Sequence, residues 1–332
     1  MNASSYAGFS TGHFTAIAAA FSAAGYQVTQ PAPGLLQILS AATAPALVLS
    51  VGIHGDETAP IDMVATLLQT LSAEPKRLAV NLLLVIGNLA AISAAKRFIE
   101  VDLNRLFNVA DDSVKTTLES TRAAVIMAAC QKFFSATDGP RWHLDLHATI
   151  RPSRYATFAI IPAAIRAAQT QTLLNFLAEV GVGAVILNVL PSHTFSAFTA
   201  RQCGATSATV ELGHIAQCGG NSTTLNAAFA ALARLLRQAS LLPTVALPSS
   251  APQIFTVMQE LIRQTSTFRF CTDAELQKFM PLKNDSVIAT DGDLVHRIGS
   301  VDGYLVFPNP NVQIGQRAGV IVTLLPTRND VC

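Results

Sequence analysis

His54 and Glu57, three residues apart in Gly52-Ile53-His54-Gly55-Asp56-Glu57, are the first residues whose types and spacing could do chemistry. Only four charged residues precede Lys76, and three of them, Asp56, Glu57 and Asp62, crowd around His54. Imidazole and carboxylate are ligands of catalytic zinc, which takes three protein groups and keeps a fourth position for water. The flanking glycines permit a tight turn, so both side chains can point into one space. The pair taken alone is equally compatible with an ion-paired or helix-capping cluster. A third ligand is offered by Trp142-His143-Leu144-Asp145-Leu146-His147, where His147 ends an apolar run. Asp145 shares its face by the two-residue period of a strand; His143 lies on that face too, but deeper, where packing is expected. Ligating histidines donate their other ring nitrogen to a carboxylate or carbonyl, and Asp102 and Asp145 are the candidates.

Metal-activated water needs a base to take its proton and pass it to a leaving amine. Glu211, in Thr209-Val210-Glu211-Leu212-Gly213, is a carboxylate near the end of an apolar run. A charge there is expensive unless it has a partner or a task, and a salt bridge to an arginine is the structural alternative. Arg97, Arg105, Arg151, Arg154 and Arg201 lie in segments flanking these residues. Guanidinium groups suit bidentate carboxylate recognition, so the set points to a small substrate with several carboxylates. Asn104, beside Arg105, can add a donor.

The elements that must position these groups alternate. Ala46–Ile53 is a continuous apolar run and reads as a fully buried strand. Pro60 sits where a first helical turn accepts proline, and Ile61–Leu71 has helical periodicity. Strands are expected at Leu78–Ile86, Trp142–His147, Thr157–Ile161, 184–190 and 206–212, and helices at Ser113–Ser135, 163–179 and 222–239. This alternation predicts an α/β fold with a largely parallel or mixed sheet flanked by helices. Prolines and serines at Pro243–Pro252 mark a change of composition. Turn signals beyond it (Asp291-Gly292, Asp302-Gly303, Pro308-Asn309-Pro310) predict a small all-β unit of about 80 residues. The expected division is an N-terminal segment 1–45 without a clear pattern, a catalytic unit 46–242 and a β-rich unit 253–332.

Bulk composition narrows the partners. With 332 residues, 13% charged and a net charge of +1, nothing suggests a polyanion. Basic residues are scattered rather than striped, so no nucleic-acid partner is expected. Half the residues are hydrophobic, yet no run reaches the length of a membrane span, and none is expected. No Lys or Arg precedes Lys76, which argues against a secretory signal. Five widely spaced cysteines without a CxxC pair fit reduced thiols in a cytoplasm.

Together these residues carry a resemblance. Gly52-Ile53-His54-Gly55-Asp56-Glu57-Thr58, Asp102-Leu103-Asn104-Arg105-Leu106-Phe107, Asp145-Leu146-His147 and Val210-Glu211-Leu212-Gly213 resemble the signatures of the succinylglutamate desuccinylase/aspartoacylase family. His147-Ala148-Thr149-Ile150-Arg151, Thr199–Ala205, Leu305–Pro310 and Gly315–Gly319 extend the similarity, which runs from about residue 46 to 325. The resemblance implies a zinc carboxypeptidase-like catalytic domain with one Zn2+ per chain, held by His54, Glu57 and His147, and Glu211 as general base. It further implies that Arg97 polarises the scissile carbonyl and that Asn104 and Arg105 grip a substrate carboxylate. Asp102 would orient His54, and Arg201 would bind substrate. Arg151 matches the desuccinylase pattern within the family, with Arg154 its competitor for a succinyl carboxylate. The implied activity is hydrolysis of N-succinyl-L-glutamate in arginine catabolism. The alternatives are aspartoacylase-like or other N-acyl amino acid deacylation, and a catalytically silent ligand-binding protein of the same fold.

Overall fold

The apolar run ahead of His54 forms a strand, Ala46–Val51, buried along its whole length. Apolar side chains on both faces require cover on both faces, which only a central strand between helical layers receives. The protein is a computed structural model, described for residues 9, 11–108, 116–149, 152–214, 223–242, 251–272 and 275–326. Arg151, Cys218, Cys332 and the first residues of the helix expected from Ser113 lie outside the described residues.

The strands in chain order are β1 (Gln27–Thr29), β2 (Leu35–Leu39), β3 (Ala46–Val51), β4 (Asn81–Ile86), β5 (Arg141–Thr149), β6 (Phe158–Pro162), β7 (Ala184–Asn188), β8 (Thr206–His214), β9 (Gln253–Ile262), β10 (Arg269–Phe270), β11 (Met280–Leu282), β12 (Val287–Asp291), β13 (Leu294–Arg297), β14 (Gly303–Val306) and β15 (Arg317–Leu324). The helices are α1 (Thr15–Ala23), α2 (Thr58–Ala73), α3 (Leu89–Ser93), α4 (Leu118–Ser135), α5 (Ala167–Val180), α6 (Phe195–Cys203) and α7 (Thr223–Gln238). Among the described residues twelve strands share one sheet in the order β1-β2-β4-β3-β5-β8-β6-β7-β9-β15-β14-β11; β10, β12 and β13 form a second. The large sheet is mixed: β4-β3-β5-β8 run parallel, and β6 is antiparallel to β8.

Alternate residues of the central strands serve two cores. Leu47, Leu49 and Val51 pack with Ile61, Val64 and Leu68 of α2 and with apolar residues of α1, α5 and α7. Ala46 and Val48 face the other way, toward Ile126, Phe133 and Phe134 of α4 and Phe195 and Phe198 of α6. On this second face the strand interiors turn polar beyond Val48, and the site is built there. Among the described residues no helix is long and apolar enough to cross a membrane.

Two features differ from the sequence pattern. The N-terminal segment holds α1 and the antiparallel β1–β2 pair at the sheet edge, where Phe14 and Phe21 are buried. Among its described residues the C-terminal segment is all-β as expected, but its first strand is not separate from the large sheet. β9 pairs in parallel with β7 (Ala184 opposite Gln253), and β15, β14 and β11 follow it. Pairing between distant strands is a tertiary choice that the local pattern does not record.

Candidate metal and catalytic site

His54 and Glu57 come from the turn that joins β3 to α2, Glu57 standing immediately before the helix. Gly52 has φ +66°, a left-handed conformation that favours glycine. A Cβ on Gly55 would lie 2.2 Å from the Ala91 carbonyl carbon, so only glycine lets this turn seat on α3. His147 lies on β5, and its register partner on β8 is Glu211. The strand period then stacks polar rows behind them: Asp145 opposite Thr209, and His143 opposite Ser207. Ser50 of β3 stands opposite Asp145. His54, Glu57, His147 and Glu211 are all buried.

The geometry of the two imidazoles is reciprocal. His54 Nδ1 is 2.8 Å from Glu57 Oε1, and His147 Nδ1 is 3.0 Å from Glu57 Oε2. On their far sides, His54 Nε2 is 3.1 Å from Asp102 Oδ1 and His147 Nε2 is 3.0 Å from Asp145 Oδ2. With Nε2–H donating to these carboxylates, both Nδ1 lone pairs face carboxylate oxygens. Acceptor facing acceptor at hydrogen-bond distance is repulsive unless a proton or a cation lies between. Burial disfavours the imidazolium of both histidines, yet the surrounding carboxylates outweigh it and raise both pKa values. The place thus demands positive charge. One donor atom from each of His54, Glu57 and His147 lies within 4.8 Å of the others, so this group can hold a metal ion. Its donor set, two imidazoles and a carboxylate, is one that catalytic zinc uses.

Asp145 is held by a buried chain of side chains behind His147. Its Oδ1 accepts from Ser50 Oγ at 2.6 Å. Ser50 has one proton, so its oxygen must accept from His143 Nε2 at 2.9 Å. His143 Nδ1 then accepts from Thr199 Oγ1 at 2.7 Å. Any other arrangement leaves the Ser50–Asp145 contact without a proton. His143 is neutral, its pKa pushed down to about 4 by burial against the opposing pull of Asp145. This ordered chain keeps both Asp145 oxygens as acceptors and so fixes the proton of His147 on Nε2. His143 does pack, against Phe195, but it is also a hydrogen-bonded link.

Comparison with known proteins adds the lineage. Residues 43–238 match the succinylglutamate desuccinylase/aspartoacylase catalytic domain, and residues 250–324 the AstE/AspA barrel-sandwich hybrid domain. The chain belongs to the succinylglutamate desuccinylase/aspartoacylase family. It is 34% identical to a succinylglutamate desuccinylase of Burkholderia orbicola over 284 residues, covering 85% of this chain and 82% of the relative. A succinylglutamate desuccinylase of Burkholderia lata is 36% identical over 297 residues, with 87% and 84% covered. The solved succinylglutamate desuccinylase of Vibrio parahaemolyticus superposes with a TM-score of 0.80 at 31% identity, covering 92% of this chain and 90% of that one.

The remaining residues singled out by sequence fall into two groups. Arg97, Asp102, Asn104 and Arg105 cluster on the His54 side. Arg97 Nη1 donates to Glu57 Oε1 at 3.0 Å, and its Nη2 lies 3.0 Å from His54 Nε2. That second contact competes with Asp102 for the same nitrogen, and donation to Asp102 leaves Nδ1 free. The loop carrying Arg97 is fixed by Glu119 at the start of α4, whose carboxylate accepts from the backbone N–H of Ile99 at 2.7 Å. Asp102 accepts from Asn104 N–H at 2.9 Å, while the Asn104 side-chain oxygen accepts from Phe195 N–H at 2.9 Å. Arg105 Nη2 lies 3.8 Å from Asp102 Oδ2, its side chain half exposed. Arg154 and Arg201 have other partners. Arg154 is exposed, its guanidinium 5.7 Å from the Tyr304 ring centroid. Arg201 is exposed on α6 and donates to the Ser192 carbonyl at 3.1 Å.

Sequence reasoning passed over Ser50, Thr199 and Lys278. Lys278 is buried, with Nζ 3.6 Å from Glu211 Oε2. Ser50 and Thr199 carry no signal that sets them apart from other hydroxyls. Lys278 lies in the β-rich segment, far in sequence from every other site residue.

Proposed function

We propose that this chain hydrolyses the amide bond of N-succinyl-L-glutamate to succinate and L-glutamate, using one zinc ion held by His54, Glu57 and His147. The observation that carries this is the convergence of two Nδ1 lone pairs and a carboxylate beside Glu211 on the neighbouring strand. Relatives named succinylglutamate desuccinylase at 34% and 36% identity support the choice of substrate. The setting is the cytoplasm, in arginine catabolism by the succinylation route. Residues 46–242 are the proposed catalytic unit and 253–332 a β-rich unit that adds to it.

Zinc, when bound, supplies a Lewis acid that polarises a carbonyl and acidifies water. Glu211 takes the proton of the attacking water and returns it to the leaving amine nitrogen. Arg97 has five N–H donors, of which one is engaged with Glu57, and it offers others to the developing oxyanion. Asn104 and Arg105 hold a carboxylate of the amino-acid half, Asp102 and Asp145 hold the ligand imidazoles, and Arg151 and Arg201 add further cations for substrate. The direct test is free-amine release from N-succinyl-, N-acetyl- and N-formyl-amino acids, with and without a chelator. Preferred cleavage of N-acetyl-aspartate would transfer the assignment to aspartoacylase-type deacylation; no cleavage of any would leave a silent binding protein.

Two substitutions separate binding from catalysis. Arg105→Ala is expected to act mainly on KM, because a carboxylate clamp serves ground and transition states alike. Arg97→Ala is expected to act mainly on kcat, because the oxyanion it faces exists only during reaction. Similar changes in the same parameter would defeat this division of labour. The chain behind Asp145 gives another expectation. Ser50→Ala removes the donor that fixes Asp145 and should weaken zinc affinity by about 10-fold. Competition with a chromophoric chelator measures it, and an unchanged affinity would mean that the tautomer of His147 does not depend on Ser50.

A further inference from the structure

We propose that Lys278 is a specificity-determining residue whose ammonium, delivered from the β-rich segment, pairs with the distal carboxylate of a dicarboxylic acyl group. The inference rests on the reading of the chain as an N-acyl amino acid hydrolase.

The backbone fixes where this lysine points. Its N–H donates to the Pro152 carbonyl at 3.0 Å, and its own carbonyl accepts from Arg154 N–H at 3.1 Å. Ser153 forms a parallel bridge with it. A single peptide is therefore clamped by the segment that follows β5, and the side chain enters the site from there. It is 7% exposed, with Nζ 5.0 Å from the ring centroids of both Phe158 and Phe307. Phe158 is itself a register partner of Glu211. The charge is thus held against two aromatic rings, beside the carboxylate proposed as base.

Lysine is almost never this buried without a reason. Burial lowers its pKa, and the carboxylates of Glu211 and Glu57 oppose that only in part. Among the described residues Glu211 is its one polar side-chain partner, and the 3.6 Å separation is long for a charge-assisted bond, which runs about 2.7–2.9 Å. Glu211 Oε2 is buried and has no hydrogen-bond partner among the described residues. The pair is therefore loose from both ends. An ammonium has three donors, and this one keeps capacity for a further anion.

The chemistry around the ammonium selects its guest. A cation among aromatic side chains suits a short methylene chain that ends in a carboxylate. Arg97, Asn104 and Arg105 gather at Asp102 and His54, where they suit the carboxylates of the amino-acid half. The acyl half is left for the Glu211 side, where Lys278 stands. A succinyl group presents a charge to it; an acetyl group does not.

The test compares kcat/KM of the zinc-loaded full chain on N-succinyl- and N-acetyl-L-glutamate in wild type, Lys278→Met, Lys278→Arg and Arg151→Ala. Methionine keeps the stem against Phe158 and Phe307 and removes only the charge. Lys278→Met should lower the ratio of succinyl to acetyl kcat/KM by about 30-fold or more, whatever common loss the change beside Glu211 brings to both substrates. Lys278→Arg should recover part of the succinyl preference. Calorimetric binding of succinate reads the same subsite without turnover, and its affinity should fall in Lys278→Met in parallel. Equal losses on both substrates would reduce Lys278 to a counter-ion of Glu211 and overturn the proposal. So would full succinyl preference in Lys278→Met with its loss in Arg151→Ala, or an unchanged succinate affinity. A wild type that cleaves neither substrate yet binds succinate through Lys278 would instead overturn the hydrolase reading alone.

Discussion

Glu211→Gln should keep zinc and fold while kcat falls by about 10²–10⁴, the range for removal of a general base. The substitution is nearly isosteric. Glu211 is 8% exposed and sits in the polar row beside His147, so a larger change would disturb the ligand strand. Its Oε2 accepts no hydrogen bond among the described residues, and the nearest cation, Lys278, is 3.6 Å away. A glutamine can turn its carbonyl oxygen toward that ammonium, so little of the local packing needs the second carboxylate oxygen. What the variant lacks is a basic carboxylate to take the proton. Elemental analysis and thermal unfolding establish that metal and fold survive; steady-state kinetics then isolates the base. Glu211→Asp, which keeps the basicity but draws the carboxylate back by one methylene, should fall between the two. A kcat within about threefold of wild type in zinc-loaded Glu211→Gln would remove the base assignment, because a true base supplies at least about 10²-fold.

Much of this site was legible because its residues sit where strands end. The apolar run into His54, the run into His147 and the run through Glu211 are each a buried strand of the sheet. Local patterning is strong for such strands, since both faces must be apolar until the carboxyl end is reached. The carboxyl ends of parallel strands then converge, which is why ligand-type residues read from separate segments meet in space. The parts that were not legible depend on distance in sequence. Ser50, His143 and Thr199 form a chain only because β3, β5 and α6 pack together. Each alone is an ordinary residue. Lys278 comes from the β-rich segment, and only its pairing with 152–154 aims it at Glu211. The continuation of the sheet from β7 into β9 is likewise a choice of partner rather than of local conformation. The alanine-rich N-terminal segment offered no clear period, although Phe14 and Phe21 anchor it in the core.

Removal of a metal ligand should have the largest effect of all. His147→Ala is expected to abolish stoichiometric zinc and with it hydrolysis, a loss far beyond the roughly 10–100-fold that an outer-shell partner contributes to affinity. The physical reason lies in how little is spare. His147 Nδ1 is one of two imidazole lone pairs that meet Glu57, and its Nε2 is already committed to Asp145. Without that ring the site retains one imidazole and one carboxylate, and His143, a neighbour on the strand face, is locked between Ser50 and Thr199. Loss of the ring also leaves Asp145, which is wholly buried, without its main cationic partner, so the apo variant should be less stable than apo wild type. Stability and metal binding must therefore be read separately. Zinc at a hundredfold excess over its Kd should stabilise wild type by about 2.7 kcal/mol, and a chelator should reverse it. In His147→Ala neither addition should move the unfolding midpoint. Replacing His193, whose side chain lies outside the ligand group, should leave the zinc response intact. A His147→Ala protein that still carries one zinc per chain, or still gains stability from zinc, would show that the imidazole is not a ligand and that the convergence on Glu57 serves only to pair charges in the core.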